Sequence, residues 1–326
     1  MILTLTYTKR QSKTEYFITV NIRAPPDIAV HGFSIQITIL GGYIMDIFEK
    51  LLFDMQLCGM SEITQKNYAY HVRKFAMFSE KPLEEANLDD VRVFLHYLRN
   101  NKKLGIGTVN YFHTCIKFLF QVTLEKVWND WRVPKLRGYK TVPVILSREE
   151  VKMLIVTIDN LKYKAIISSV YSAGLRVSEA CRLKVKDIDS NNMQIFVRQS
   201  KGNKDRYTIL SKTNLSVLRK YWQQCGKPKE YLFPGQSGDA PLTAASVRQV
   251  LKEACEKAGI YKKVTVHTLR HCFATHLLEA GTNIFAIKIL LGHASISSTC
   301  RYLHLVRMDA FEIKSPLDIL ESDDDA

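Results

Sequence analysis

The 326-residue sequence has no run of the roughly 18–20 apolar residues that a membrane-crossing helix needs. Its first residues, MILTLTYTKR, do not form a charged segment followed by an apolar core, so no secretory signal is expected and the reading is cytoplasmic. The seven cysteines (Cys58, Cys115, Cys181, Cys225, Cys255, Cys272 and Cys300) include no C-x-x-C pair. An odd count without that spacing argues against a disulfide frame and against a zinc knuckle. Most of them sit in apolar helical patterns and read as buried thiols. No H-E-x-x-H metal motif, no G-x-x-x-x-G-K-[ST] phosphate loop and no internal repeat is found.

Acidic residues are also in short supply. There are 32 Asp and Glu against 46 Lys and Arg, a formal net charge of +14. Such a chain is predisposed to bind a polyanion, and nucleic acid and an acidic membrane surface are the usual candidates. Charge alone leaves open a merely soluble basic protein.

What is present begins with a segment unlike the rest. Within residues 1–44, ILTLTYT and EYFITVNI alternate in the β manner, and RAPPDIAVHG breaks them with a turn or loop. A helical pattern starts at Met45, so 1–44 reads as an appendage, or as an extension upstream of a start at Met45. Residues 45–131 carry four helical patterns. The first covers about 45–58, the second opens at Ser61, the third near Asn87, and the fourth follows GIGT with Val109, Phe112, Ile116 and Leu119. In the third, Val91, Phe94, Leu95 and Leu98 recur at amphipathic spacing. Four such helices with short connections predict a small bundle. Lys66, Arg73, Lys74, Arg99, Lys102 and Lys103 leave it basic, although for any single lysine a solvated face is the commoner reason.

Residues 132–146, RVPKLRGYKTVPVIL, have the composition of an extended linker. Ser147 and Glu150 then have capping-box spacing, and a second domain is expected over 147–305. It reads as mostly helical, with a β-hairpin over 193–210 and helices at about 212–225, 243–258, 267–280 and 284–291. Gly259 and Gly281 stand where glycine ends a helix. A segment, 306–326, follows, ending in the acidic ESDDDA.

Four stretches hold reactive residue types. In YSAGLRVSEACRL, Arg176 precedes Glu179 by three residues, so the carboxylate can hold the guanidinium, or the two form an ordinary surface pair. In SKGNKDRYTIL, Gly202–Asn203 makes a tight turn with Lys201 at its edge, where the lysine can reach into a groove or be plainly solvated. In HTLRHCFATHLLEAG, His267 and Arg270 share a helical face, while His271 and His276 are expected to be structural. In LGHASISSTCRYLHL, Gly292 ends a helix before His293, and Tyr302 follows. Together the cationic groups would surround a phosphodiester. Arginine forks match its oxygens, and fixed donors stabilise the charge that grows there. The tyrosine would be the nucleophile, its hydroxyl helped by a base or a cationic setting, and the lysine would protonate the departing oxygen.

GLRVSE, SKGNKDR, HTLRHCFATHLLEAG and LGHASISSTCRYLH, in that order, resemble the tyrosine recombinase (phage integrase) family, above all its Xer-like bacterial members. The resemblance covers about residues 45–305. It implies a mainly α fold with a small β-hairpin or sheet: a SAM-like four-helix core-binding domain and a mixed, mostly helical catalytic domain, closing on DNA as a C-shaped clamp. It implies that Arg176 and Arg270 bind the scissile phosphate and that Lys201 protonates the leaving 5′ oxygen. His267 would take or position the tyrosine proton, His293 would donate to the phosphate, and Tyr302 would form a 3′-phosphotyrosine bond. Glu179 would orient Arg176. The family needs no metal and no cofactor. Its members act on double-stranded DNA as tetramers across two sites, some with a second recombinase or accessory protein. Their C-terminal segment docks on a neighbouring protomer, a part for which Phe311, Ile313, Leu317 and Ile319–Leu320 supply apolar residues.

Ser200 in place of a common glycine, Ser298–Thr299 in place of Thr–Thr, and residues 1–44 depart from the family pattern, but none is a catalytic position. The expected activity is site-specific recombination in DNA integration, excision or resolution. A type IB topoisomerase-like activity shares the chemistry, and a non-catalytic DNA-binding protein is the alternative of another class. The complete set of reactive residues argues against the latter.

Overall fold

In the computed structural model, residues 2–9, 16–23, 33–40, 43–138, 143–200 and 204–305 are described, with the backbone alone described before Met45 and at residues 199, 200 and 204. Two compact units divide between Lys140 and Thr141.

The first unit opens with an antiparallel sheet in the order of the chain, β1 (Ile2–Lys9), β2 (Tyr16–Arg23), β3 (Phe33–Leu40) and β4 (Tyr43–Asp46). The two alternating runs seen in the sequence are β1 and β2. Met45 does not begin the helix. It pairs with Thr38 in β4, and α1 (Ile47–Leu57) starts two residues later. The reason is local: Asp46 is extended, its carboxylate accepts from the backbone of Phe48 and Glu49, and Glu49 closes a capping box by accepting from the Asp46 N–H at 3.1 Å.

Three further helices complete this unit: α2 (Glu62–Ser79) behind an N-cap at Ser61, α3 (Leu88–Asn100) behind Asn87, and α4 (Ile106–Phe118), whose last turn widens into a π-turn at Leu119–Thr123. Each buries one face; those of α2, α3 and α4 meet on aromatic rings, and α1 adds Leu51 and Met55 to the same core. Phe94 lies 5.4 Å from Phe75, 5.1 Å from Phe78 and 5.6 Å from Phe112, centroid to centroid.

The second unit is built around α6 (Leu161–Ala173). Ala165, Ile166, Ile167, Val170 and Ala173 are all fully buried, so this helix is covered on nearly every side. Against it lie α8 (Lys212–Gln224) and α10 (Val266–Glu279). Around these are α5 (Arg148–Thr157), α7 (Val177–Cys181), α9 (Ala244–Lys257), α11 (Ile284–Leu291) and α12 (Ser297–Cys300). The Ser147–Glu150 capping box forms at the start of α5, with bonds of 2.7 and 3.1 Å. A three-stranded antiparallel sheet, β5 (Ile188–Asp189), β6 (Gln194–Ser200) and β7 (Lys204–Ile209), contains the expected hairpin with one added short strand. The fold is therefore mainly α with a small sheet, as the sequence implied. The buried-thiol expectation holds for Cys115, Cys181, Cys255 and Cys272 but fails for Cys58 and Cys225, which are exposed at or beyond helix ends.

Phe94→Ala empties the centre of the aromatic cluster. It should destabilise the first unit by about 3–5 kcal/mol, whereas its exposed neighbour Val93→Ala should stay within about 0.5 kcal/mol. Urea unfolding of the full chain followed by tryptophan fluorescence checks both.

Candidate active site

All the described site residues belong to the second unit, and the chain geometry that places them begins at Gly174. This glycine ends α6 with φ +63°, and a Cβ there would meet the Phe273 ring at 2.4 Å. Only glycine permits both the left-handed turn and the close packing. The turn sends Leu175 inward and sets Arg176 at the N-cap of α7.

One turn along α7, Glu179 accepts from the Arg176 backbone N–H at 2.8 Å and from its Nη1 at 2.6 Å. This is no surface pair. Glu179 is buried, and Arg206 of β7 grips the same carboxylate with both ends of its fork, Nη1 to Oε1 at 3.0 Å and Nη2 to Oε2 at 2.8 Å. Arg270 of α10 brings a third guanidinium to 3.8 Å from Oε2. Burial alone would raise the Glu179 carboxyl, but the hydrogen bonds and charge of Arg206, joined by those of Arg176, bring it down to about 2. One carboxylate thus holds three arginines.

Arg206, the last residue of the SKGNKDR stretch, is a site residue that the local motif does not reveal. A signal was available in the alternation of β7. Arg206, Thr208 and Leu210 are buried, while Tyr207 and Ile209 face outward, so a charged residue stands on an inward face. Its Nε also donates to the Leu290 carbonyl at 2.9 Å, tying the hairpin to the end of α11. Gly292 caps that helix at φ +63°, and a Cβ there would strike the Arg206 side chain at 2.8 Å.

Arg270 is 1% exposed. Nη1 donates to the Gly174 carbonyl and Nη2 to the Leu291 carbonyl, so the ends of α6 and α11 fix the plane of its guanidinium. Burial, with the charge of Arg176, lowers its pKa to about 10, which still leaves it cationic.

His267 and His271 lie on α10, and His293 lies just after α11. The His267 ring meets that of His271, one turn later, edge-on at 4.4 Å. His293 pairs through Nδ1 with Thr299 Oγ1 at 2.9 Å, and its ring lies parallel to that of Tyr302, 6.3 Å away. Burial first, and the neighbouring arginines next, lower His267 and bring His293 to about 4; for His271, also at about 4, the charge of His267 comes between these two causes. All three imidazoles are therefore neutral at pH 7. Tyr302 is 1% exposed and packs among Phe273, Leu278, Ile287 and Leu291. Burial raises its hydroxyl pKa, and the charge of Arg270 opposes that rise. The hydroxyl shares a hydrogen bond with His271 Nδ1 at 3.0 Å.

The structure thus brings together Arg176, Glu179, His267, Arg270, His293 and Tyr302. Lys201 lies outside the described residues, as do the turn around it and the 306–326 segment. His276 is structural, with Nδ1 on the Tyr171 hydroxyl at 2.9 Å and Nε2 on the Leu146 carbonyl at 3.0 Å. His271, also expected to be structural, touches the candidate nucleophile. Its position four residues after His267 already put the two on one side of the helix.

The model of the phage integrase family matches residues 145–308, and that of the phage integrase N-terminal SAM-like domain matches residues 47–130. A tyrosine recombinase of Pseudothermotoga lettingae is 38% identical over 83% of this chain and 88% of its own length. Tyrosine recombinase XerA of Pyrococcus horikoshii is 35% identical over 79% of this chain and 88% of its own. The structure of the XerH site-specific recombinase bound to its difH substrate superposes with a TM-score of 0.63 at 22% identity, over 75% of this chain and 78% of that one, a likeness of fold. The chain belongs to the phage integrase, or tyrosine recombinase, family, and its affinity is with the Xer-like members. It is a site-specific recombinase, an enzyme that transfers DNA strands.

These shifts set an acid limit on the second unit. His271 and His293 have folded pKa values near 4 against an ordinary 6.5, so the folded state binds fewer protons than the unfolded one. Their contribution is complete above pH 6.5 and is lost as pH falls through about 4; that of Glu179 is lost between 4.5 and about 2. Thermal unfolding followed against pH should show the midpoint declining from about pH 6.5 downward. Glu179→Gln should flatten the lower part of the decline and, by leaving buried guanidiniums unpaired, cost about 3–5 kcal/mol at neutral pH.

Proposed function

We propose that the chain cleaves and rejoins double-stranded DNA at a specific site through a 3′-phosphotyrosine bond to Tyr302. Arg176 and Arg270 hold the non-bridging oxygens of the scissile phosphate, and His293 donates a further hydrogen bond. With the Thr299 hydroxyl donating to Nδ1, the single proton of a neutral His293 lies on Nε2, where it can serve as that donor. Tyr302 Oη attacks phosphorus and its proton passes to His267. The bond from phosphorus to the 5′ oxygen breaks, and Lys201 supplies the proton to that oxygen. Glu179 keeps Arg176 and Arg270 in register. The phosphodiester energy is conserved in the tyrosyl linkage, so the reaction reverses without a cofactor or metal.

The observation that carries this reading is the convergence of three guanidiniums on one buried carboxylate beside a buried tyrosine. Fixed cations where charge develops are what phosphoryl transfer asks of a protein. The basic helical region, residues 45–131, binds the duplex, residues 132–146 form a linker, and 147–305 form the catalytic domain. Four protomers act across two sites in the cytoplasm, with 306–326 docking on a neighbour. The net charge of +14 supports a duplex partner. The biological setting is integration, excision or resolution, with a mobile element as the source of the substrate.

Sequencing DNA covalently trapped on the protein in cells should return one recurring site, and a nicked duplex of that sequence should accumulate the adduct in vitro. Tyr302→Phe should abolish the adduct and leave DNA affinity unchanged; an adduct that persists assigns the nucleophile elsewhere. Arg176→Ala should slow cleavage by about 10²–10³-fold, far more than it weakens binding.

A further inference from the structure

The hydroxyl of Tyr302 is held by a residue to which no role in the reaction has been assigned. Tyr302 is 1% exposed, and its ring is fixed by Phe273, Leu278, Ile287 and Leu291 and by the parallel ring of His293. A phenol buried to this degree has one polar atom to satisfy, and leaving it unpaired costs free energy. Among the described residues the partner of that atom is His271, at 3.0 Å through Nδ1, and not His267, one helical turn earlier. The rings of His271 and Tyr302 are 5.6 Å apart and inclined at 55°, an approach by the ring edge rather than a stack.

The surroundings of His271 favour its neutral form, and the direction of this hydrogen bond then depends on which ring nitrogen carries the proton. His271 is partly buried, with the His267 ring on one side and the charges of Arg270 and Arg301 nearby. A second positive charge is unfavourable there, so the imidazole is neutral and has one acceptor nitrogen. With Nδ1 as that acceptor, the Tyr302 hydroxyl is the donor. A phenol whose O–H points at His271 turns its oxygen lone pairs away from α10. The rotation about the C–O bond, free in an exposed tyrosine, is thereby set.

We propose that His271 is a positioning residue for the nucleophile, an acceptor that holds the Tyr302 hydroxyl through Nδ1 and directs the oxygen lone pairs toward the incoming phosphate. It acts before any bond is made or broken; as the oxygen attacks, the O–H turns from His271 to His267, which takes the proton. This rests on Tyr302 being the nucleophile.

Two variants separate positioning from packing. Asparagine can place its amide oxygen near the position of Nδ1, whereas leucine fills the space without an acceptor. On the nicked duplex recovered by trapping, His271→Leu should lower the single-turnover cleavage rate by about 10²-fold, the size of effect that misplacing a reacting group produces. His271→Asn should recover most of that rate, and both variants should bind the duplex as the unaltered chain does. A substrate whose bridging 5′ oxygen is replaced by sulfur needs no proton for its leaving group. It should not relieve His271→Leu, because the defect lies on the nucleophile's side. Equal rates for His271→Leu and the unaltered chain, or relief by the sulfur substrate, would overturn the proposal. Should Tyr302→Phe still form the adduct, it is the assignment of the nucleophile that falls.

A measurement without DNA reads the same hydrogen bond. Nitrogen-15 spectra of the full chain should show His271 unprotonated at Nδ1, with that resonance shifting in Tyr302→Phe. A His271 resonance indifferent to the loss of the hydroxyl counts against the inference whatever the cleavage assay returns.

Discussion

Glu179 is a buried carboxylate that accepts from Arg176 and Arg206 and lies within 3.8 Å of Arg270. Three guanidiniums crowded into one unit repel each other, and Arg206 and Arg270 have almost no water to screen them. The carboxylate makes the cluster possible. It links the turn after α6, the inner face of β7 and the body of α10, three segments distant in sequence. Loss of the Glu179 carboxylate would remove the shared counter-charge of the buried Arg206 and Arg270, so the segments are tied together through it.

Backbone geometry adds a second layer to the same constraint. Arg270 is aimed by two carbonyls, one at the end of α6 and one at the end of α11, and both helices end on left-handed glycines. Gly174 lets Phe273 pack against the chain, and Gly292 leaves room for the Arg206 side chain. The cationic pocket is therefore built from helix ends, whose carbonyls have no partner within their own helix. Those orphan acceptors become the supports of the arginines. The result is a set of donors oriented before substrate arrives, which is the condition under which electrostatic stabilisation costs no reorganisation.

Tyr302 sits in an apolar cluster with its hydroxyl on a neutral histidine. Burial works against ionisation of the phenol, and the nearby arginines work in its favour. A side chain in that balance is protected from solvent as a neutral group and gains most when a partner stabilises the charge it develops on reaction.

The amino-acid sequence by itself determined the helical periodicities, the caps at Ser61, Asn87 and Ser147, the hairpin, and the four stretches that hold the reactive residues, because each of these is written in neighbours within a few positions of one another. Local signals also had limits: Asp46 outcompeted the helical pattern at Met45 by capping. Only the tertiary structure decided that Arg206 is the second hand on Glu179, that Thr299 holds His293, and that His271, not His267, meets the Tyr302 hydroxyl. Those pairings join residues on different elements. Their partners are set by where buried polar atoms can be satisfied once the core has closed, a condition that no periodicity along the chain expresses.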